Sequence, residues 1–203
     1  MGNCIGCEPL SNAGGGGGGG SHAALVGEDS FVEVMFFPDP RFPCRAAVAG
    51  ETCTRKACKF SHEETNLLKI LKYLRSAKRT LEICVFTITC DEIANEVLAA
   101  HARGVTVRII TDDGQSKGLG SDIQKFVDAG IPVRDDNART YMHHKFCVID
   151  SSLLLNGSFN WSRQAVVGNA ENLVVHRGGQ IVPQFQSYFE QLWNTYQANE
   201  RKR

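Results

Sequence analysis

The sequence lacks several features that would each assign it to a class, and each absence narrows what the chain can be. It has no run of about 18 apolar residues, so we expect no segment to span a bilayer. It has no secretory signal pattern, so we expect its eight cysteines to be thiols or metal ligands rather than disulfides. No internal repeat is visible, so a site that needs two copies of one motif must take the second from another chain. Neither charge is in excess, with 22 Lys and Arg against 22 Asp and Glu, so only a local imbalance can indicate a charged partner.

The N-terminal segment, residues 1–30, has the composition of a flexible extension rather than of a packed core. Seven consecutive glycines, Gly14 to Gly20, predict a disordered linker. The first seven residues resemble a dual acylation signal, although the sixth is glycine and not the usual Ser or Thr. The predicted lipidation sites are Gly2 for myristate and Cys4 and Cys7 for palmitate. Two acyl chains anchor stably where one does not, so we expect a membrane-associated protein that faces the cytosol.

A second pattern brings three cysteines and one histidine into nineteen residues. The spacing C-x8-C-x4-C-x3-H comprises Cys44, Cys53, Cys58 and His62. It resembles a CCCH zinc finger, whose closed tetrahedral shell is structural rather than catalytic. The alternative is that the cysteines are unrelated buried thiols. That alternative suits cysteines within apolar runs better than the three cysteines of this motif. We therefore predict one structural zinc.

Positive charge is concentrated around this zinc module. Residues 41–79 contain ten Lys or Arg and three Glu, a local charge of +7 within a neutral chain. Such a surface favours a polyanionic partner, either single-stranded RNA or DNA or an anionic phospholipid membrane. The alternative is an ordinary solvated basic helix face. Ser61 and Glu64 have capping-box spacing and predict that an amphipathic helix starts beside the finger.

The clearest motif is H-x-K-x4-D-x6-G-S-x-N, formed by His143, Lys145, Asp150, Gly157-Ser158 and Asn160. Two residues two apart in an extended segment point to the same side, so the imidazole and the ammonium can face one anionic group. A lone His-x-Lys pair is usually no more than a solvated face. Here the polar residues lie at the ends of apolar runs, where catalytic and binding residues are commonly found. The arrangement suits cleavage of a phosphodiester.

This motif resembles the catalytic signature of the phospholipase D superfamily. The resemblance implies that His143 is the nucleophile and forms a phosphohistidine intermediate, while Lys145, Ser158 and Asn160 hold the phosphate oxygens. Glu171 falls where the superfamily has an acidic residue that hydrogen-bonds the nucleophilic imidazole. Asp150 completes the motif, and we expect it to stabilise a loop rather than to contact substrate.

One copy of the motif also implies a homodimer. Superfamily enzymes with a single copy pair two subunits about a twofold axis, so that one histidine attacks and the other protonates the leaving oxygen. No step of this scheme requires a metal, so we expect no catalytic metal.

The run from Tyr141 to Phe146, together with the zinc module, resembles the Zucchini family, also called mitochondrial cardiolipin hydrolase. The resemblance implies a single-strand-specific endoribonuclease, which is our main hypothesis. The alternative is a cardiolipin hydrolase that produces phosphatidic acid. A third hypothesis is a non-catalytic RNA or membrane adaptor, and the complete set of site residues disfavours it. The resemblance also implies the mitochondrial outer membrane, although the chain shows no family-type transmembrane helix.

Hydrophobic patterns predict the elements of the fold. The predicted strands cover 31–37, 80–87, 105–111, 131–134, 146–149, 153–155 and 173–175, and the predicted helices cover 91–103, 120–129 and 183–197. Alternating strands and helices predict the α/β class. The resemblance implies a phospholipase D-type α/β/α sandwich with one half-site per chain. We expect it to span residues 31–200, with the zinc module inserted at 44–62.

Overall fold

The computed structural model describes residues 30–118 and 120–202. The acylation sites Gly2, Cys4 and Cys7 and the glycine linker lie outside the described residues. The strands are β1 Ser30–Phe37, β2 Thr80–Val85, β3 Thr106–Thr111, β4 Val133–Asp135, β5 Lys145–Ile149, β6 Leu153–Gly157 and β7 Glu171–Arg177. The helices are α1 Arg45–Ala49, α2 Asn66–Arg75, α3 Asp91–Ala102, α4 Asp113–Ser116, α5 Ile123–Asp128, α6 Arg163–Val167 and α7 Ile181–Thr195.

All seven strands form one mixed sheet in the order β1-β7-β6-β5-β2-β3-β4. β2, β3 and β4 are parallel, because α3 and then α5 lie between them in the chain as crossover helices. The other neighbouring pairs are antiparallel. The predicted α/β class is therefore confirmed.

The two faces of the sheet are covered by different helices. Side chains alternate along a strand, so Leu81 and Ile83 of β2 join the core under α2 and α3, whereas Cys84 joins the core under α7. Each face carries its own apolar cluster, and the sheet lies between them. This is the predicted three-layer α/β/α arrangement.

The ends of all seven strands that lie nearest the candidate site are at one edge of the sheet. β1, β2, β3, β4 and β6 end there, and β5 and β7 begin there. We call this the site edge and define it by the terminal residues Val85, Gly157, Lys145 and Glu171. Loops at such an edge can bring together residues that are distant in sequence.

The predicted start of α2 was wrong. The Ser61 hydroxyl accepts a hydrogen bond from the Glu63 N–H instead of capping a helix. The helix begins at Asn66, where the Thr65 hydroxyl accepts from Leu68 N and the Asp39 carboxylate accepts from the N–H groups of Asn66 and Leu67. A carboxylate at a helix N-terminus also complements the helix dipole.

α7, with 15 residues, is the longest helix of the described chain. None of the helices in residues 30–118 and 120–202 combines the length and the apolar character that a bilayer crossing needs.

Candidate active site

Five of the six predicted catalytic residues lie at the site edge. His143 and Lys145 lie at the start of β5, Ser158 and Asn160 follow β6, and Glu171 begins β7. These three strands are adjacent in the sheet, so segments up to 28 positions apart in sequence meet there. The sheet topology, and not local sequence, brings these residues together.

His143 and Lys145 lie against the same aromatic ring. The ring of Phe86, just after β2, is 4.6 Å from the imidazole of His143 between centroids and 4.8 Å from Nζ of Lys145. Nζ of Lys145 also donates to the His143 carbonyl oxygen at 2.8 Å. The imidazole is exposed, whereas the Lys145 side chain is almost entirely buried. The exposed His143 imidazole and the fixed Lys145 ammonium beside it can together bind one anionic group.

Burial changes the proton affinity of both basic neighbours of His143. Burial lowers the pKa of Lys145, while the charge of Glu171 opposes the shift. Burial lowers the pKa of His144, and the positive charge of Lys145 adds to this effect. The His144 ring lies beside Phe146 and Tyr188, and its Nε2 is 3.3 Å from the Tyr188 hydroxyl. His144 therefore belongs to the α7 side of the sheet.

Ser158 and Glu171 form a hydrogen-bonded pair. The Ser158 hydroxyl donates to Glu171 Oε2 at 2.5 Å and accepts from Asn172 N at 3.1 Å. Glu171 Oε1 accepts from Asn169 Nδ2 at 3.1 Å. Within the described residues no hydrogen bond joins Glu171 to His143, so the partner implied for Glu171 by the family pattern is not the one seen. Glu171 instead acts electrostatically on Lys145 and orients Ser158.

Gly157 allows the β6–β7 pairing that holds this pair. A Cβ atom on Gly157 would lie 2.1 Å from the backbone oxygen of Asn172. Three residues further, the side-chain oxygen of Asn160 is buried and has no hydrogen-bond partner in the described part of the chain. This unpaired oxygen can accept a hydrogen bond from a ligand, and the Nδ2 group of the same amide can donate one.

Asp150 is not part of this cluster, although it was predicted with the motif. It follows the last residue of β5, at the opposite edge of the sheet from His143. Its carboxylate accepts hydrogen bonds from the backbone N–H groups of Lys78, Arg79 and Thr80. Burial alone would raise its pKa, but these N–H donors outweigh burial and lower it. Its role in the structure is to connect the β5–β6 turn to the start of β2.

Phe86 is part of the site, although nothing in its local sequence identifies it. It is separated from His143 by 57 positions and follows an apolar strand, so it looks like one more core aromatic. The exposed Tyr141 ring packs on Phe86 edge-to-face, with ring centroids 5.7 Å apart. The strand end before Phe86 was the only available signal.

The predicted zinc ligands also meet in space. Ligand atoms of Cys44, Cys53, Cys58 and His62 all lie within 4.8 Å of one another. The Cys44 and Cys58 sulfurs are 3.6 Å apart, close to the separation of about 3.8 Å that two ligands at a tetrahedral zinc would have. The backbone N–H of Ala46 is the main reason why the pKa of Cys44 is lowered to about 6. Three thiols and an imidazole in this arrangement can hold a metal ion.

Backbone contacts close the zinc module at its base and fix it near the site edge. Cys44 N donates to Ser61 O at 2.8 Å, and Ser61 N donates to Phe42 O at 2.9 Å. Phe42 is buried, and the guanidinium of Arg163 lies 3.6 Å from its ring centroid. Arg163 begins α6, three residues after Asn160. The module is thereby connected to the loop that carries the site.

A second group of acidic residues lies beyond the ends of β3 and β4. Asp112, Asp113 and Asp136 are close enough to share a cation. Their carboxylates already accept backbone hydrogen bonds: Asp112 from Gln115 and Met142, and Asp136 from Asp113. These bonds give the group a structural role in the loops that flank the site.

Comparisons with known proteins agree with this arrangement. Residues 70–193 match the family model described as the phospholipase D-like domain of cardiolipin synthase. The mitochondrial cardiolipin hydrolase of Chlamydomonas reinhardtii is 48% identical over 187 residues, which is 92% of this chain and 83% of that protein. The protein of the same name from Xenopus tropicalis is 41% identical over 81% of this chain and 77% of that protein.

Two solved structures share the fold. Nuc from Salmonella typhimurium, a phospholipase D family member, has a TM-score of 0.66 at 24% identity, over 87% of this chain and 99% of that one. NucT from Helicobacter pylori has a TM-score of 0.62 at 20% identity, over 83% of this chain and 98% of that one.

Proposed function

The chain belongs to the mitochondrial cardiolipin hydrolase family of phospholipase D-like proteins, and from this premise we propose that it is a phosphodiesterase that hydrolyses cardiolipin to phosphatidic acid. One observation carries the chemistry: His143 and Lys145 share the Phe86 ring, at the edge where Ser158, Asn160 and Glu171 gather. The names of the relatives support a lipid substrate over our first expectation, RNA.

The reaction proceeds by two displacements. Neutral His143 attacks phosphorus, the bond to the leaving oxygen breaks, and a phosphohistidine forms. Lys145 stabilises the charge that develops on the phosphate oxygens, and the Nδ2 group of Asn160 donates a hydrogen bond to them. Ser158, held by Glu171, presents its hydroxyl beside the same oxygens. Water then attacks the phosphohistidine, which releases phosphatidic acid and regenerates the imidazole.

The leaving oxygen needs a proton, because an alkoxide is a poor leaving group at neutral pH. The described half-site has no second imidazole beside His143, since His144 lies toward α7. A homodimer in which two half-sites face each other supplies the acid as His143 of the second copy. The same group accepts the proton of the attacking water in the second step.

Cleavage of single-stranded RNA or DNA is the second candidate function, favoured by the basic residues around the zinc module. The deciding experiment compares the purified dimer on cardiolipin vesicles, single-stranded RNA and single-stranded DNA, with His143→Ala as the control. Cardiolipin cleavage that His143→Ala abolishes supports the proposal. Cleavage of nucleic acid alone transfers the function to the second candidate, and binding without any cleavage identifies an adaptor.

A structural zinc held by Cys44, Cys53, Cys58 and His62 completes the proposal. It would keep the loop between β1 and α2 folded beside the site. Metal analysis should find about one zinc per chain. Cys53→Ser should lose it, and Cys84→Ala, which alters a thiol of the α7 core, should retain it. A folded protein without metal as purified would contradict the zinc proposal.

Membrane attachment through acylated Gly2, Cys4 and Cys7 is a separate proposal, and the relatives' names point to the mitochondrion as the organelle. Gly2→Ala should move the protein from the membrane to the soluble fraction of cells. A variant that stays on membranes would show that another part of the chain attaches it.

A further inference from the structure

Large apolar side chains are exposed around the candidate active site. Phe36 is 68% exposed at the end of β1, and Tyr141 is 74% exposed just before β5. Phe60 of the zinc module and Val167 at the end of α6 are about two-fifths exposed. All four belong to segments that reach the site edge.

Two of them, Phe36 and Tyr141, lie beside the catalytic residues. Phe36 pairs across the strands with Asn172, the neighbour of Glu171. Tyr141 packs on Phe86, which contacts His143. Single exposed apolar residues are common on soluble proteins, but two large exposed aromatic residues beside one site indicate an interaction surface.

Unpaired positive charges lie among these apolar side chains. Arg41, Lys59 and Arg139 are exposed and have no hydrogen bond or ion pair within residues 30–118 and 120–202. Arg41 and Lys59 belong to the segment around the zinc module, and Arg139 belongs to the β4–β5 loop on the other side of His143. Among the acidic residues of this region, Asp112 and Asp136 are buried and Asp113 pairs with Lys117. Glu51 and Glu63 of the zinc module are exposed, but so are the further cations Arg55 and Lys56. The accessible charge at the site edge is therefore mainly positive.

We propose that the site edge is a docking surface for an anionic lipid bilayer, on which Phe36 and Tyr141 enter the headgroup region and Arg41, Lys59 and Arg139 bind lipid phosphates. This inference rests on the proposed lipid substrate. The phosphodiester of a membrane lipid lies at headgroup depth, so His143 reaches it only if the surrounding edge lies on the membrane. Aromatic rings suit that depth, and cations beside them bind anionic lipid. Val167 has no aromatic face on which a nucleobase could stack, and it therefore fits a bilayer better than a nucleic acid.

The test uses the full chain with Gly2→Ala and His143→Ala, which removes both the acylation site and hydrolysis. Sedimentation with phosphatidylcholine vesicles, with and without cardiolipin, measures partitioning. Adding Phe36→Ser and Tyr141→Ser should weaken binding to cardiolipin vesicles roughly tenfold for each side chain. The matched control is Phe31→Ser, which removes a 60% exposed phenylalanine from the opposite end of β1 and should leave binding unchanged.

Two charge-reversal variants provide a second comparison. Arg139→Glu should weaken binding to cardiolipin vesicles about fivefold or more and should lower its salt dependence, without changing the weak binding to phosphatidylcholine alone. Lys78→Glu, an exposed lysine before β2 at the opposite edge, is its control. Thermal unfolding of each variant checks that the fold is intact.

Three results would each overturn the docking surface. Folded Phe36→Ser/Tyr141→Ser protein could bind vesicles as well as its parent does. The variant could become a monomer, which would make the patch a contact between copies. It could also keep vesicle binding and lose single-stranded RNA binding, which would assign the edge to nucleic acid. The proposed function is judged separately, by whether unmodified protein hydrolyses cardiolipin dispersed in detergent micelles, where no bilayer is needed.

Discussion

The charge of Lys145 is costly to the fold and necessary to the site. The side chain is 8% exposed, and its ammonium contacts a carbonyl oxygen and an aromatic ring rather than water. Its pKa in the folded chain lies below the unfolded value of about 10.4, so folding favours the neutral form. The cost of the charged form is fully present below the folded pKa and disappears as pH rises from there toward the unfolded value.

We therefore predict that Lys145→Met greatly reduces activity but has little effect on stability or increases it. Turnover of a soluble phosphodiester should fall about a hundredfold or more, because the fixed cation is lost. The free energy of unfolding in urea should fall by less than about 1 kcal/mol or should rise, because a buried charge is removed. A variant that retains more than a tenth of the turnover would remove Lys145 from the mechanism.

Asp150 gives a pH-dependent prediction at the other edge of the sheet. Its folded pKa is lowered, so its stabilisation is present above the unfolded value of about 3.9 and is lost as pH falls through the folded value. Asp150→Asn should cost about 1 to 2 kcal/mol at neutral pH, since it weakens charge-assisted bonds to three N–H groups. Urea unfolding near pH 3 should show a smaller difference, and activity per folded molecule should stay close to wild type. A constant difference at all pH values would contradict this account.

At the scale of elements, the pairing of β6 with β7 determines where Ser158 and Glu171 meet. Gly157→Ala would force a methyl group against the Asn172 carbonyl, and rigid backbone cannot yield. We predict a loss of roughly 1 to 3 kcal/mol in the free energy of unfolding and a larger relative loss of turnover. The matched control is Gly168→Ala, where the nearest obstacle is the Gln164 side-chain amide, which can rotate away. Equal stability losses in both variants would show that the β6–β7 contact is not special.

Elements with a strong local pattern were predictable from sequence. The strand at 31–37 and the helix at 91–103 match β1 and α3 closely, because apolar periodicity alone specifies them. The start of α2 was not predictable, because its first two N–H groups bind Asp39 from 28 positions away or less. Non-local capping of this kind leaves no local signature, and the Ser61–Glu64 spacing was therefore misleading.

Some residues of the candidate site were likewise predictable from local sequence, and others were not. His143, Lys145, Ser158 and Asn160 carry a recognisable spacing, so sequence alone could group them. Phe86 comes from a different strand, and only the antiparallel pairing of β2 with β5 brings it to His143. The separation of Asp150 from the others also follows from strand length, because five residues of β5 carry it to the far edge.

At the scale of the whole molecule, the proposed dimer and the proposed docking surface use the same region of the protein. The site edge exposes the His143 ring, and the same edge carries the apolar and basic side chains of the proposed docking surface. A twofold axis that passes beside His143 along the membrane normal would give both copies the same orientation toward a membrane. Dimerisation and membrane docking are therefore geometrically compatible if the dimer leaves Phe36 and Tyr141 open.

A heterodimer tests the shared site directly. Two differently tagged copies, one wild type and one His143→Ala, can be co-expressed and isolated by sequential affinity steps. If each copy acted alone, the heterodimer would keep about half of the wild-type turnover per dimer. We predict a loss of about a hundredfold or more instead, because one histidine must attack while the other protonates the leaving group. A heterodimer of wild type with Phe31→Ser, which lies away from the site, should keep full turnover and controls for the tags. Half activity in the His143→Ala heterodimer would mean that the acid comes from within the same chain.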